Sequence, residues 1–345
     1  MNKQWKFRII LLAVVLVLIA IGGGYWYLRV HTHTPEYAME EIERSITKHD
    51  TKTFYRYVNM ESLLNHSFDD FVDGLLETGL VMPEDAKIAA GDLIHMMKAP
   101  ILASFQSSIE QYVSTGSWQQ ENEEDRSFQS QSSNLLAHSG LLRTEFLKVE
   151  SIAAMQEEDR AIASIRVYQQ EAESEFVFEA VLEKQKDGTW KVESIQNFKD
   201  FIVMVENARK SQLDNYLSNT AAIMEKHDRI VREAELKYGD ILSAGSLGNQ
   251  STRDEIKLLM QNVIQKDWEE RKQELFSIEV PESVETLHHL RLRICDLHIE
   301  YARGYALWMT DKKAGTIREP DAKLKEAKTL EQEARALSRR LNAAK

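Results

Sequence analysis

Five side chains able to ligate a metal or carry a proton crowd one stretch: His288, His289, Cys295, Asp296 and His298. On a helix, His288 and Cys295 are seven residues apart and share a face, and His298 stands about one turn further on. Imidazole and thiolate are ligands that zinc accepts. A zinc centre usually draws on a second segment, however, and the chain has neither an HExxH nor a paired CxxC. Cys295 is flanked by Leu290, Ile294 and Leu297, so it reads as a small core residue, and no metal is expected. His31 and His33 form an H-x-H that could serve metal or pH chemistry; a short solvated linker is the expectation. The acidic run Glu121, Glu123, Glu124 and Asp125 lacks the spaced Asp/Asn/Gly pattern of a calcium loop and reads as solvated.

Four aromatic residues form the candidate ligand-binding set: Tyr168, Phe176, Phe178 and Trp190, which could line a pocket between a sheet and its helices. Aromatic residues at alternating strand positions equally suit a filled core. The chain carries no G-x-S-x-G, phosphate-binding loop or dinucleotide glycine fingerprint, and no Ser/His/Asp set can be assembled from it. No catalytic residue and no cofactor is therefore implied, and a binding or interaction module is expected rather than an enzyme.

Charge narrows the partners. The net charge is -12, yet the first thirty residues hold Lys3, Lys6, Arg8 and Arg29 and no acid, which leaves -16 for the remainder. A body this acidic repels nucleic acid, which is excluded as a partner. The single cysteine rules out an intramolecular disulfide, so the fold must rest on packing.

These groups must be positioned by elements that the patterning announces. Ile9 to Leu28 is twenty residues without a charge, about 30 Å as a helix, which matches the hydrocarbon core of a bilayer. Lys3, Lys6 and Arg8 precede it and Tyr25, Trp26 and Tyr27 end it, so a cytoplasmic N-terminus and an extracytoplasmic body are expected. A cleaved signal peptide is the alternative, since Ala20-Ile21-Gly22 weakly resembles a cleavage site. Helical spacing then runs from Pro35 to Ile46, from Phe54 to Val58, from Leu63 to Leu76, and as one longer helix from Pro83 to Val113. Ser117 to Asn134 is polar and aperiodic, an expected exposed loop.

The period then changes to two. Phe146–Val149, Ala161–Tyr168, Phe176–Leu182 and Trp190–Val192 read as four strands, with Asp187-Gly188 as a two-residue hairpin turn between the last two. Leu213, Leu217, Thr220, Met224, His227, Val231, Ala234 and Tyr238 follow at near-heptad spacing. Thr252-Arg253-Asp254-Glu255 looks like a capping box, Pro281 separates two further helices, and Leu324 to Leu341 marks a last one. The fold class expected is α+β: an N-terminal transmembrane helix, helices with a curved antiparallel sheet of about four strands, then a C-terminal antiparallel helical bundle. The corresponding domains are 1–30, 31–200 and 201–345.

Helices followed by a meander ending in Trp190-Lys191-Val192 resemble the cone-shaped α+β fold of the nuclear-transport-factor-2-like superfamily. Pro35-Glu36-Tyr37-Ala38, Asp50 and Phe54 to Asn59 also resemble a bacterial membrane-anchored family built on a domain of unassigned function. That family implies an aspartate where Asn59 stands, and it brings no catalytic residues. The resemblance covers Pro35 to Gly116 in motif and reaches Asp200 in pattern. Taken together, the expectation is an anchored extracytoplasmic module that docks an envelope protein or self-associates through its C-terminal helices. A sensor or carrier with a pocket near Tyr168 and Trp190 is the alternative, and an enzyme of a type without short motifs ranks behind both.

Overall fold

The computed structural model describes residues 31–78, 84–118, 139–155 and 159–343, together with 15–17, 19, 22–25 and 27. The protein is α+β, with N-terminal helices, a four-stranded antiparallel sheet and long C-terminal helices. Of the expected span Ile9–Leu28, the nine described residues are helical and the rest lie outside the described residues, as do Pro83 and the run Glu121–Asp125. Among the described residues no helix is long and apolar enough to cross a membrane. The chain divides into two compact units, Met1–Ala208 and Arg209–Lys345, a little beyond the boundary at 200 read from the sequence.

In the first unit, helix α1 (Pro35–Thr47) begins where Thr34 accepts a hydrogen bond from the Tyr37 amide, and Pro35 takes the position where a missing N–H costs nothing. Asp50 accepts from the Thr53 amide at 3.1 Å and starts α2 (Thr51–Tyr57). Helix α3 (Met60–Thr78) is capped by Asn59, whose Oδ1 accepts from the Ser62 amide. The Asn59 amide nitrogen Nδ2 donates to Glu193 at 2.7 Å, so an aspartate here would set two carboxylates against each other.

The single helix expected from Pro83 is two: α4 (Glu84–Met96) and α5 (Lys98–Thr115), with a turn at Met97. Pro100 explains the break. Its ring excludes a helical carbonyl at residue 96 and it has no N–H to give, so it is accommodated only in a first turn. The linker is also packed rather than solvated. His31–His33 forms a half-buried 3-10 turn, and the Trp190 indole donates to the His33 carbonyl at 2.9 Å.

The strands are β1 (Thr144–Ala154), β2 (Arg160–Gln169), β3 (Ser174–Lys184) and β4 (Trp190–Ile195), hydrogen-bonded in that order. Two irregularities in β1, at Phe146/Lys148 and Val149/Ser151, interrupt its alternation and leave Val149 and Ile152 packed on the core. The hairpin between β3 and β4 is longer than the two-residue turn expected. Gln185 and Thr189 close it, and Gly188 takes φ 86°. Only a glycine suits that site, since a Cβ would also meet the His33 ring at 2.5 Å. Phe68, Phe71 and Val72 of α3 and Phe105 of α5 share one core with Phe178 and Leu182 of the sheet and with Phe198 and Phe201. Each such side chain contributes roughly 1.5–3 kcal/mol on burial.

The second unit is built from α6 (Phe198–Ala244, shared with the first), α7 (Gln250–Leu259), α8 (Lys266–Phe276), α9 (Glu285–Asp311) and α10 (Ala314–Ala343). The near-heptad residues Leu217, Thr220, His227 and Ala234 of α6 are buried. Helix α7 starts two residues ahead of the expected capping box, with Asn249 at the cap position. Thr252 is instead buried against Gly245, and Arg253 Nη1 donates to the carbonyls of Leu247 and Gly248 at 2.9 Å. The guanidinium thus binds the loop carbonyls, and the box motif is spent on packing.

A π turn over Met260–Gln265 joins α7 to α8. Ile256, Met260, Ile264 and Trp268 are all buried and lie four residues apart. A regular α-helix would rotate each successive member by about 40°. The wider π turn absorbs that drift and keeps the stripe on one side.

Pro320 lies inside α10, facing Gly304 of α9, where an added Cβ would meet the proline ring carbon at 2.3 Å. The two helices approach this closely because one side chain is absent. Gly304→Ala is expected to lower stability to urea by about 1–3 kcal/mol through overpacking. Adding Pro320→Ala to that variant removes the collision and restores a backbone donor, so most of the loss is recovered. Equal loss in the single and double variants would refute the contact.

Candidate functional site

Phe176 and Phe178, the nearest pair of the aromatic set, sit with ring centroids 5.1 Å apart and both pack on Phe201. Trp190 is buried in the same core. Tyr168 is not with them. It pairs with Glu175, whereas its neighbour Val167 pairs with Phe176, so strand alternation puts Tyr168 on the opposite face of the sheet. The four residues therefore do not converge on one pocket.

In the second unit, α9 separates the five candidate metal ligands. His288 is buried, with Nδ1 at 3.4 Å from the Tyr216 hydroxyl, and burial together with His289 and Arg291 lowers its pKa. His289 is exposed, and Asp296 pairs with Lys272 at 2.6 Å. His298 stacks flat on Trp268, with centroids 3.9 Å apart, and its Nε2 meets Glu331 of α10 at 2.8 Å. Cys295 is buried and its thiol is pushed up to about 12 by desolvation. Among the described residues no three His, Cys, Asp or Glu side chains gather to hold a metal ion.

What the helices do assemble is a groove of about 810 Å³, lined by α6, by the α7–α8 segment, by α9 and by α10. Met260, Ile264, Trp268, Ile294 and Leu324 give it an apolar surface. Six cations line it, Arg232, Arg271, Arg291, Lys328, Arg335 and Arg339, against three carboxylates, Asp228, Glu235 and Glu331. An excess of positive charge in a chain of net charge -12 is a local reversal of sign.

Two of these cations are deep. Arg271 is 1% exposed and Arg291 is 9% exposed. The Arg271 guanidinium lies 4.0 Å from the Trp268 ring centroid, and its Nη1 reaches Asp228 at 3.0 Å. Its Nη2 is 3.9 Å from Asp267 Oδ2, beyond hydrogen-bonding range, and neither Nη2 nor Nε has a protein partner. Asp267 is committed through its other oxygen to His227 Nδ1, at 2.7 Å. Desolvation raises the Asp267 pKa, partly opposed by His227 and Arg271. Arg291 lies over the Tyr216 ring at 5.4 Å, and its Nη1 likewise lacks a protein partner.

Chemically, the arrangement offers buried hydrogen-bond donors of fixed positive charge beside an apolar wall. Cys295, the one thiol on the groove lining, is held neutral by its burial. No family model, curated protein or solved structure matches the chain.

Motif reading passes over Arg271 and Arg291 because neither belongs to a catalytic pattern. Their signal is positional: Arg291 falls between Leu287 and Ile294, and Arg271 between Trp268 and Leu275, on stripes that are otherwise apolar. A cation in such a stripe marks either a buried ion pair or a ligand contact.

Two outcomes check this geometry. Cys295 should resist maleimide at neutral pH in the folded chain and react fully once urea unfolds it, as intact-mass measurements would record. The hydrogen bond from His298 depresses the Glu331 pKa below its ordinary 4.5. The resulting stability is present above that value and is lost as pH falls through the folded pKa. Glu331→Gln should therefore flatten the fall in thermal midpoint below about pH 4.5; an unchanged acid limb would contradict the pairing.

Proposed function

We propose that the chain is a membrane-anchored, non-enzymatic binding module whose body stands outside the cytoplasm and whose recognition site is the groove of the helical unit. One observation carries this reading: Arg271 and Arg291 are buried on the groove lining with N–H groups that no protein acceptor meets. A buried donor left unmatched costs about 1–3 kcal/mol, more when charged, and a bound acceptor offsets that cost. A small ligand suits these deep donors better than the flat face of an envelope protein does.

The anchored, extracytoplasmic part of the proposal rests on the uncharged stretch Ile9–Leu28 with cations before it and aromatic residues at its end. Helices followed by an antiparallel sheet support a cone-shaped, nuclear-transport-factor-2-like reading of the first unit. Cross-helix pairs support an antiparallel bundle in the second, since Lys226 meets Glu274 as Arg271 meets Asp228, and Lys272 meets Asp296 as Glu269 meets Arg303.

The placement is checked with Glu255→Cys, at an exposed position of α7, on intact spheroplasts. Labelling by a membrane-impermeant maleimide before lysis is the expected result, and labelling only after lysis overturns the placement. The binding role is checked by native mass spectrometry of the full chain released from its own membrane in neutral detergent. A small-molecule adduct present in the parent and absent from Arg291→Gln is expected. The bare mass in both would overturn the reading.

A further inference from the structure

We infer that the groove takes a small amphipathic anion, with a carboxylate or phosphate head held by Arg271 and Arg291 and an apolar body lying along the groove wall. The inference rests on the groove reading above and names its ligand class.

Three features converge on it. The first is donor geometry. A guanidinium presents a planar fork of N–H groups that matches the paired oxygens of carboxylate and phosphate, and it is weakly hydrated enough to be buried. Arg271 has Nε and Nη2 without a protein acceptor, and Arg291 has Nη1. The second is the state of the acids nearby. Asp228 is bound to Arg271 Nη1 and Glu331 to His298, so these two are already engaged; Glu235 is exposed, and Asp267, held by His227, stops 3.9 Å short of Arg271 Nη2. An incoming anion would supply acceptors that the lining does not.

The third feature is shape and polarity together. Met260, Ile264, Ile294 and Leu324 line the same groove as the two guanidiniums. Its volume of about 810 Å³ lies within the range of small-molecule sites, roughly 300–1,000 Å³. A free inorganic anion would use the donors and leave the apolar wall exposed. An acidic helix, about 10 Å across, is too wide to approach donors buried this deeply, and a slim head group meets them where the arginine side chains turn toward the groove. Exposed Arg335 and Arg339 at the groove add a positive field that draws an anion out of solution.

The experiment is isothermal titration of the full chain, held in nanodiscs of phosphatidylcholine, with octyl phosphate, octanoate, octanol and inorganic phosphate. At least one of the two amphipathic anions is expected to bind about tenfold or more tightly than octanol and inorganic phosphate. Arg291→Gln should weaken that binding by about tenfold or more. Arg335→Gln with Arg339→Gln, both on an exposed face, should weaken it by about threefold or more at low salt and less at high salt.

Repeating the titration in nanodiscs that also contain phosphatidic acid separates two sources of the same chemistry. Loss of the octyl phosphate heat assigns the ligand to the membrane, and an unchanged heat assigns it to a soluble amphiphile. Octanol binding as tightly as octyl phosphate and octanoate, inorganic phosphate binding as tightly as they do, or indifference to both arginine variants would overturn the inference. If neither amphipathic anion binds while the native adduct persists and depends on Arg291, the ligand class is wrong and the groove reading stands. If that adduct is missing too, the groove reading falls with it.

Discussion

A guanidinium at 1% exposure inside a helical core is the constraint around which the second unit is arranged. Arg271 cannot shed its charge, so its surroundings must supply what water would have given. Asp228 supplies an acceptor from α6, and Trp268 supplies the face of its indole one turn away on the same helix. The other side of that indole is not left to solvent either: His298 stacks on Trp268 and is itself tied to Glu331 on α10. Asp267 stands close by and is held through His227. One buried cation thus relates four helices, and removing a single partner of such a pair typically costs about 3–5 kcal/mol.

The first unit solves its packing without such a demand. Its interior is aromatic and aliphatic, with Phe68, Phe71, Phe178, Phe198 and Phe201 in one cluster. Its buried polar side chains are neutral, as where Gln169 donates to the Gly140 carbonyl, and part-buried ties join Trp190 to the His31–His33 turn and Asn59 to β4. Both units are compact, yet among the described residues only the second buries charge that its own side chains leave partly unmatched. That contrast, more than any motif, sets the arginine-lined groove apart from the aromatic residues of the sheet.

The order of elements was legible in the sequence because period-two and period-3.6 patterns are written in side-chain polarity. The heptad run of α6 even included His227, whose burial beside Asp267 follows from its place on that stripe. What stayed hidden depends on contacts distant in the chain or on the local accounting of backbone donors. Pro100 carried a legible message, that no helix could run unbroken through it, which the apolar spacing on either side masked. Tyr168 was separated from Phe176 by strand parity, readable only once the register with β3 was known. Thr252 resembled a cap because a capping box and a buried threonine near a glycine look alike in one dimension. The groove was harder still, since Arg271 and Arg291 lie on different helices and have no shared sequence signature.

The π turn at Met260–Gln265 gives the second unit a particular relation to insertion and deletion. Losing one residue there would return the segment to ordinary α-helical winding, in which each residue accounts for about 100° of rotation. Trp268, Arg271 and Leu275 would then swing together away from α9, although every one of those side chains was unchanged. The extra residue acts as a phase setting between the two halves of one long helix. Sequence change in this segment is therefore constrained in length more tightly than in composition.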